Sequence, residues 1–150
     1  LADAGVQGSG LAASDTAILF SAESEWATRS ETLPSMKLSH WHDVRDWYRA
    51  FLNAGARADI VPLAYDWSSY KTIVLPTVLI LSDADTRRLA GFVQAGGRGV
   101  VDYATGLLDE RFHTWLGGYP GAGDGSNCTN TPCRLANDGR NRDCEIVSIP

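Results

Sequence analysis

Residues 71–103, KTIVLPTVLILSDADTRRLAGFVQAGGRGVVDY, contain a complete strand–helix–strand unit. Residues 71–75 and 98–103 are short apolar runs, which are typical of strands covered on both faces of a sheet. Between them, Ser82 with Asp85 three residues later is an acidic variant of the capping box that begins a helix. This connection is long enough for a right-handed crossover, so the two strands are predicted to lie parallel in one sheet.

The connection after the first of these strands is itself apolar. Pro76 ends that strand, because a central strand loses a ladder hydrogen bond at a proline. Residues 78–81 are therefore predicted as an apolar connection and not as strand. The helix that follows buries Leu89, Phe92 and Val93 and ends at the glycine pair at 96–97.

Two more strands and one more helix are predicted upstream. Residues 16–22 and 57–63 form the strands, and a long connection follows the first of them, from 23 to 38. Ser39 and Gly55 bound the helix. Its apolar face is formed by Trp41, Val44, Tyr48, Phe51 and Leu52. Since strands and helices largely alternate, the sequence predicts an α/β fold, an open parallel sheet with helices on its faces.

Composition limits the function classes. The chain has 150 residues, 44% of them hydrophobic and 21% charged, as in a soluble globular protein of one domain. Its 13 Lys and Arg against 18 Asp and Glu, without a basic cluster, argue against phosphate-mediated binding of nucleic acid. No apolar run approaches the ~20 residues of a membrane span. No export signal is visible at the start, so a cytoplasmic location is expected.

The residue types are unevenly distributed along the chain. All aromatic residues lie before residue 121, and all three cysteines (128, 133 and 144) lie after it. We therefore expect an N-terminal linker at 1–13, a globular α/β domain at 14–121, and a polar, loosely ordered tail at 122–150.

Apolar and aromatic side chains follow the carboxyl end of each predicted strand. Ligands and partners collect at that edge of an open α/β sheet. A soluble monomer rarely exposes so large an apolar patch, so we predict an interface with another domain or subunit. Two alternatives stay open, a lid that folds back on itself and a surface that stacks on sugar. The predicted interface, called the apolar rim below, consists of Trp26, Met36, Tyr65, Trp67, Val78, Leu79, Ile80, Phe112, Trp115 and Tyr119.

Catalytic and ligand-binding motifs are not visible in the sequence. The carboxylate pairs Glu23/Glu25 and Asp109/Glu110 could serve acid–base chemistry, but adjacent acids in loops are more often turn or cap residues. His40 and His42 point in different directions on a helix, so they are expected at the helix start and surface and not as a metal pair. The cysteines lack metal-ligand spacing, and phosphate-binding and nucleophile motifs are missing. We therefore predict no catalytic residue, metal or cofactor in this chain.

Six segments nevertheless resemble one family in their order and spacing: residues 43–50, 54–55, 59–62, 93–97, 106–110 and 116–121. They are similar to the middle, trimerisation domain of family 42 glycoside hydrolases, the bacterial β-galactosidases. Phe20, Glu23 and Trp26 are similar to that domain's opening strand and loop. The resemblance covers residues 14–121.

The resemblance implies a flavodoxin-like fold related to class I glutamine amidotransferases, without their nucleophile. Residues 103–106, Tyr-Ala-Thr-Gly, agree because they contain no cysteine. The family's catalytic glutamates lie on a TIM barrel, so the resemblance carries no catalytic residue onto this chain. It implies a homotrimer in which this domain packs on barrels and helps enclose the galactoside site. After residue 121 the family continues with a leucine-rich helix and a strand, whereas this chain has its polar tail, so truncation is expected.

The sequence therefore favours a non-catalytic assembly domain of a β-galactosidase. One alternative is a small hydrolase or amidotransferase-like enzyme that uses Glu23, Glu110 or His113. Another is a free-standing binding module of flavodoxin-like type.

Overall fold

The computed structural model describes residues 13–30, 38–102 and 104–114. Its four strands form one sheet in the order β2-β1-β3-β4, and the three strand pairs are parallel. This arrangement confirms the predicted open parallel sheet. The elements in chain order are β1 (Thr16–Phe20), α1 (Ala22–Thr28), α2 (His40–Asn53), β2 (Asp59–Pro62), β3 (Thr72–Leu75), α3 (Asp83–Gln94) and β4 (Arg98–Val101).

Helices cover both faces of the sheet, as predicted. Successive residues of β3 point to opposite faces, so Ile73 and Leu75 pack on one side and Val74 on the other. Leu89 of α3 joins the first of these clusters, and Val44 of α2 joins the second. The central residues of β1 and all but the first residue of β3 are almost completely buried, which explains the continuous apolar sequence of these two strands.

The predicted caps set the bounds of the two long helices. Ser39 accepts a hydrogen bond from the His42 amide at the start of α2, and Gly55 follows its end at φ +69°. At the start of α3 the Ser82 hydroxyl accepts from the Asp85 amide at 3.1 Å and donates to the Asp85 carboxylate at 2.6 Å. Ser82 is therefore confirmed as the cap of α3, and the Asp85 carboxylate binds its hydroxyl.

The prediction for residues 16–38 is wrong in one respect. The first strand ends at Phe20, and the connection begins with helix α1. Ser21 caps this helix by accepting a hydrogen bond from the Ser24 amide at 3.1 Å. Helix α1 has only seven residues, which are too few to show a periodic apolar pattern next to the strand.

The order of the strands creates a switch point between β1 and β3. After β1 the chain crosses to β2 on one side, and after β3 it crosses to β4 on the other. Crevices that bind ligands form at the carboxyl ends of such neighbouring strands.

The outer strand β2 ends in a proline. Pro62 is aligned with Phe20, and the next amide, that of Leu63, donates to the Phe20 carbonyl at 2.7 Å. The predicted linker at 1–13 lies outside the described residues except for residue 13, and the predicted tail at 122–150 lies wholly outside them.

Candidate functional site

The apolar rim is divided between the core and the surface. Trp67, Val78, Leu79 and Ile80 are at most 7% exposed, so the prediction that they lie on an uncovered edge is wrong. The side chains of Trp26, Tyr65 and Phe112 are 71%, 66% and 59% exposed. Met36, Trp115 and Tyr119 lie outside the described residues.

Helix α1 covers the aliphatic part of the rim. Its Ala27 packs in one buried cluster with Leu79 and Ile80, and its Ser24 hydroxyl accepts a hydrogen bond from the Ile80 amide at 3.1 Å. Trp26, on the same helix, is left exposed. The packing of α1 on Leu79 and Ile80 was not predicted, because the helix itself was not predicted. A serine cap with Glu23 and Glu25 in the first turn was the signal that could have revealed it.

Trp67 is buried because the loop after β2 folds onto α3. Its indole N–H donates to the Leu63 carbonyl at 3.2 Å, and its ring meets Phe92 edge-on at 5.6 Å between centroids. The Arg88 guanidinium lies 4.6 Å from the ring centroid and donates to the carbonyls of Leu63 and Tyr65. This part of the rim corresponds to the self-folded alternative that the sequence left open.

His40 occupies the switch point between β1 and β3. It is fully buried, so its expected position at the surface is wrong, although it is the first residue of α2 as predicted. Its Nε2 accepts from the Ser21 amide at 2.9 Å, and its Nδ1 lies 2.6 Å from the Pro76 carbonyl. Burial lowers the pKa of His40 below its ordinary value of 6.5. The ring thus fills the crevice between the two strand ends with a side chain of the protein itself.

The carboxylates considered for catalysis serve helix ends and turns. Glu25 accepts from the Trp41 amide at 2.8 Å and pairs with Arg29 at 2.6 Å. Glu23 accepts from the hydroxyl of the cap residue Ser21. Asp109 accepts from the backbone amides of Arg111 and His113. These contacts are those of cap and turn residues, the role that adjacent acids in loops most often have.

His113 and Glu110 are placed on the surface. The His113 amide donates a hydrogen bond to the Asp109 carboxylate, four residues earlier. This hydrogen bond is the main reason that the pKa of Asp109 is lowered. Glu110 is exposed in the same turn. The structure gives these residues no contact with Glu23, so it does not assemble the catalytic set of the enzyme alternative from the described side chains.

Asp43 and Asp102 form a half-buried acidic pair beside His40. The Thr77 hydroxyl donates to Asp43 at 2.5 Å, and the Trp47 indole donates to Asp102 at 3.2 Å. Burial is the largest cause that raises the pKa of Asp43 above its usual 3.8, and the charge of Asp102 raises it further. Within residues 13–30, 38–102 and 104–114, His, Cys, Asp and Glu side chains form no group of three that could hold a metal ion. None of the helices described is both long and apolar enough to cross a bilayer.

Comparison with known proteins places this geometry in a family. The family described as "Beta-galactosidase trimerisation domain" matches residues 14–124. Among curated proteins, the β-galactosidase BbgII of Bifidobacterium bifidum is 45% identical over 122 residues, which are 81% of this chain and 18% of that protein. BgaB of a Geobacillus species is 32% identical over 107 residues, 71% of this chain and 16% of that protein. The chain thus spans less than a fifth of the length of these relatives.

Solved structures show the same fold. A β-galactosidase from Bifidobacterium adolescentis superposes with a TM-score of 0.73 at 87% identity, over 76% of this chain and 52% of that chain. The β-galactosidase from Bacillus circulans sp. alkalophilus gives a TM-score of 0.67 at 28% identity, over 72% of this chain and 16% of that chain.

Proposed function

This chain belongs to the β-galactosidase trimerisation domain family, and on that premise we propose that it is the non-catalytic assembly domain of a larger bacterial enzyme that hydrolyses terminal β-D-galactosides. The domain occupies residues 14–121 and has a fold related to the class I glutamine amidotransferases. Three copies associate through it, each packing on TIM barrels and helping to enclose the galactoside site. Bond cleavage takes place on the barrel, and the parent enzyme works in the cytoplasm.

One observation carries the proposal: helix α1 is buried on one side and presents a large aromatic ring on the other. Ser24 and Ala27 are buried against the connection after β3, whereas Trp26 is 71% exposed. The same helix lies beside the start of α2, because its Glu25 accepts a hydrogen bond from the Trp41 amide. The side chain of Trp41 is also exposed. Exposed tryptophans on a well-packed scaffold are typical of interface anchors.

The position of His40 at the switch point between β1 and β3 supports a non-catalytic role. The crevice where this architecture receives a ligand contains the His40 ring, bonded to Ser21 and Pro76. Its hydrogen-bonding groups are thus directed at the protein's own backbone. The contact surface of the proposal is therefore the exposed part of the rim, Trp26, Tyr65 and Phe112, together with Met36, Trp115 and Tyr119.

Sedimentation velocity over a range of concentrations tests the assembly role. The chain is expected to associate, and Trp26→Ser is expected to weaken association by roughly tenfold or more, as for an interface anchor that contributes more than about 1.4 kcal/mol. Leu52→Ser is the matched control, because Leu52 is an exposed apolar residue at the far end of α2, outside the rim. It is expected to leave association unchanged.

A chromogenic galactoside tests the non-catalytic role. The chain alone is expected to give no turnover. Measurable turnover would contradict this role, and a chain that stays monomeric at every concentration would contradict the assembly role.

A further inference from the structure

The backbone around His40 specifies one protonation state of its ring. A carbonyl can only accept, so the 2.6 Å contact with Pro76 requires a proton on Nδ1. A backbone amide can only donate, so the 2.9 Å contact with Ser21 requires Nε2 to be bare. The buried ring is therefore the neutral tautomer with its proton on Nδ1.

Three segments of the chain meet at His40. Ser21 follows β1 and is the cap of α1, where its hydroxyl accepts a hydrogen bond from the Ser24 amide. The His40 amide itself lies 3.4 Å from the Thr28 hydroxyl at the end of α1. Pro76 follows β3, and the Phe20 ring stacks on the imidazole at 5.1 Å. The imidazole thus joins the start of α2 to the switch point and to the N-terminus of α1, and the His40 backbone amide contacts the end of α1.

The charged groups around the ring come from α1, α2 and the end of β4. Glu25 on α1, which is paired with Arg29, and Asp43 on α2 both favour a protonated ring. Asp102, after β4, interacts with Asp43. The segment after β3 contributes Pro76 and Thr77, which do not titrate, and from β1 the ring meets Phe20. Burial outweighs the carboxylates, so the ring of the folded protein stays neutral below the pH at which an exposed histidine becomes charged.

Protonation would break this arrangement at one atom. A second proton on Nε2 would face the Ser21 N–H, so two donors would oppose each other and a hydrogen bond would be lost inside the protein. Nε2 is the atom through which the ring holds the N-terminus of α1. We infer that His40 is an acid-sensitive latch, which holds α1 and its exposed Trp26 in place when neutral and releases them when protonated. This inference concerns one chain and does not depend on the proposed assembly role.

The direction of the pH effect follows from the depressed pKa. The released state has the ordinary pKa of about 6.5 and binds a proton more readily than the latched state. The latch is therefore at full strength above about pH 6.5 and weakens as the pH falls, until the pH reaches the pKa of the folded state. Across that window the opening equilibrium rises by about tenfold for each pH unit.

Nuclear magnetic resonance of the whole chain tests the latch. The imidazole of His40 is expected to titrate with a pKa below the ordinary value of 6.5. From about pH 7 to about pH 5, the protection factor of the Ser21 amide against hydrogen exchange is expected to fall by about tenfold per unit within the window. That of Val74, in the centre of the sheet, should change much less.

Two variants sharpen the test. His40→Gln should abolish the pH dependence of Ser21 protection, and His42→Gln should preserve it. The wild-type titration decides the matter even if His40→Gln does not fold. The latch is refuted if His40 titrates with a pKa of 6.5 or above, if Ser21 protection stays constant while the ring becomes protonated, or if Val74 loses protection to the same extent as Ser21.

Discussion

The amide of Ile80 donates a 3.1 Å hydrogen bond to the hydroxyl of Ser24, 56 residues earlier in the chain, and both residues are buried. Ser24 in turn donates its own amide to the cap residue Ser21. Ser24 therefore links the start of α1 to the segment that follows β3. This link keeps the helix over the aliphatic part of the rim.

Removing that hydroxyl should destabilise the fold. Ser24→Ala leaves the Ile80 amide buried without its partner, which costs about 1–3 kcal/mol. Urea unfolding followed by circular dichroism measures the loss. Ser69→Ala, at an exposed serine, is the control and should change the unfolding free energy by less than about 0.5 kcal/mol. Equal effects of the two substitutions would show that the link does not stabilise the protein.

Two glycines near the end of α3 should respond in opposite directions to alanine. At Gly97 a Cβ would lie 2.2 Å from the Phe92 ring, which packs against Trp67, so Gly97→Ala should cost about 1–3 kcal/mol. At Gly91, within the helix, no atom lies within 4 Å of an added Cβ. Gly91→Ala should therefore raise stability by about 0.5–1 kcal/mol through helix propensity. Thermal melts of both variants check the two signs.

Replacing Arg88 by lysine should lower the stability of the protein. Its guanidinium reaches two carbonyls, those of Leu63 and Tyr65, and lies over the Trp67 ring. A lysine offers one compact ammonium, so Arg88→Lys should cost about 1 kcal/mol and raise the mobility of the loop after β2. Arg87→Lys on the same helix is the control, and it should be close to neutral. An Arg88→Lys protein as stable as wild type, with an unchanged Trp67 emission spectrum, would contradict this role.

Asp43 should give a pH dependence opposite to that of His40. Its pKa is raised above 3.8 mainly by burial, so its protonated form is favoured by folding. Its contribution to stability is complete below about pH 3.8 and is lost as the pH rises through the folded pKa.

Substitution by asparagine isolates this effect. Asp43→Asn should become more stable relative to wild type as the pH rises through that window, as measured by urea unfolding at each pH. The exposed Asp46 on the same helix supplies the control, and Asp46→Asn should show a smaller change. A difference between Asp43→Asn and wild type that does not vary with pH would rule out this assignment.

The elements that could be predicted are those whose signals are local. The caps Ser39 and Ser82 are followed by helical spacing of apolar residues, and the strands of the sheet interior are short apolar runs between turn residues. Helix α1 has only seven residues directly after a strand, which is too short for a periodic pattern.

The burial of the candidate-site residues could not be predicted, because it depends on contacts between residues that are distant in the sequence. Trp67 lies in the loop after β2, and its burial depends on Arg88 and Phe92 of α3. The burial of His40 is decided by the strand ends at Ser21 and Pro76. The residue types of the rim were visible in the sequence, but the helix that divides them into buried and exposed sets was not.

The proline that ends β2 affects how readily the outer margin of this strand can pair with a strand of another molecule. The Leu63 amide points inward to Phe20, so the nitrogen of Pro62, one residue before, faces away from the sheet. A strand of another molecule that pairs with this margin finds no backbone N–H donor at Pro62. Within the described sheet, Pro62 therefore gives the outer margin of β2 a position without a backbone donor, which disfavours pairing with another strand there.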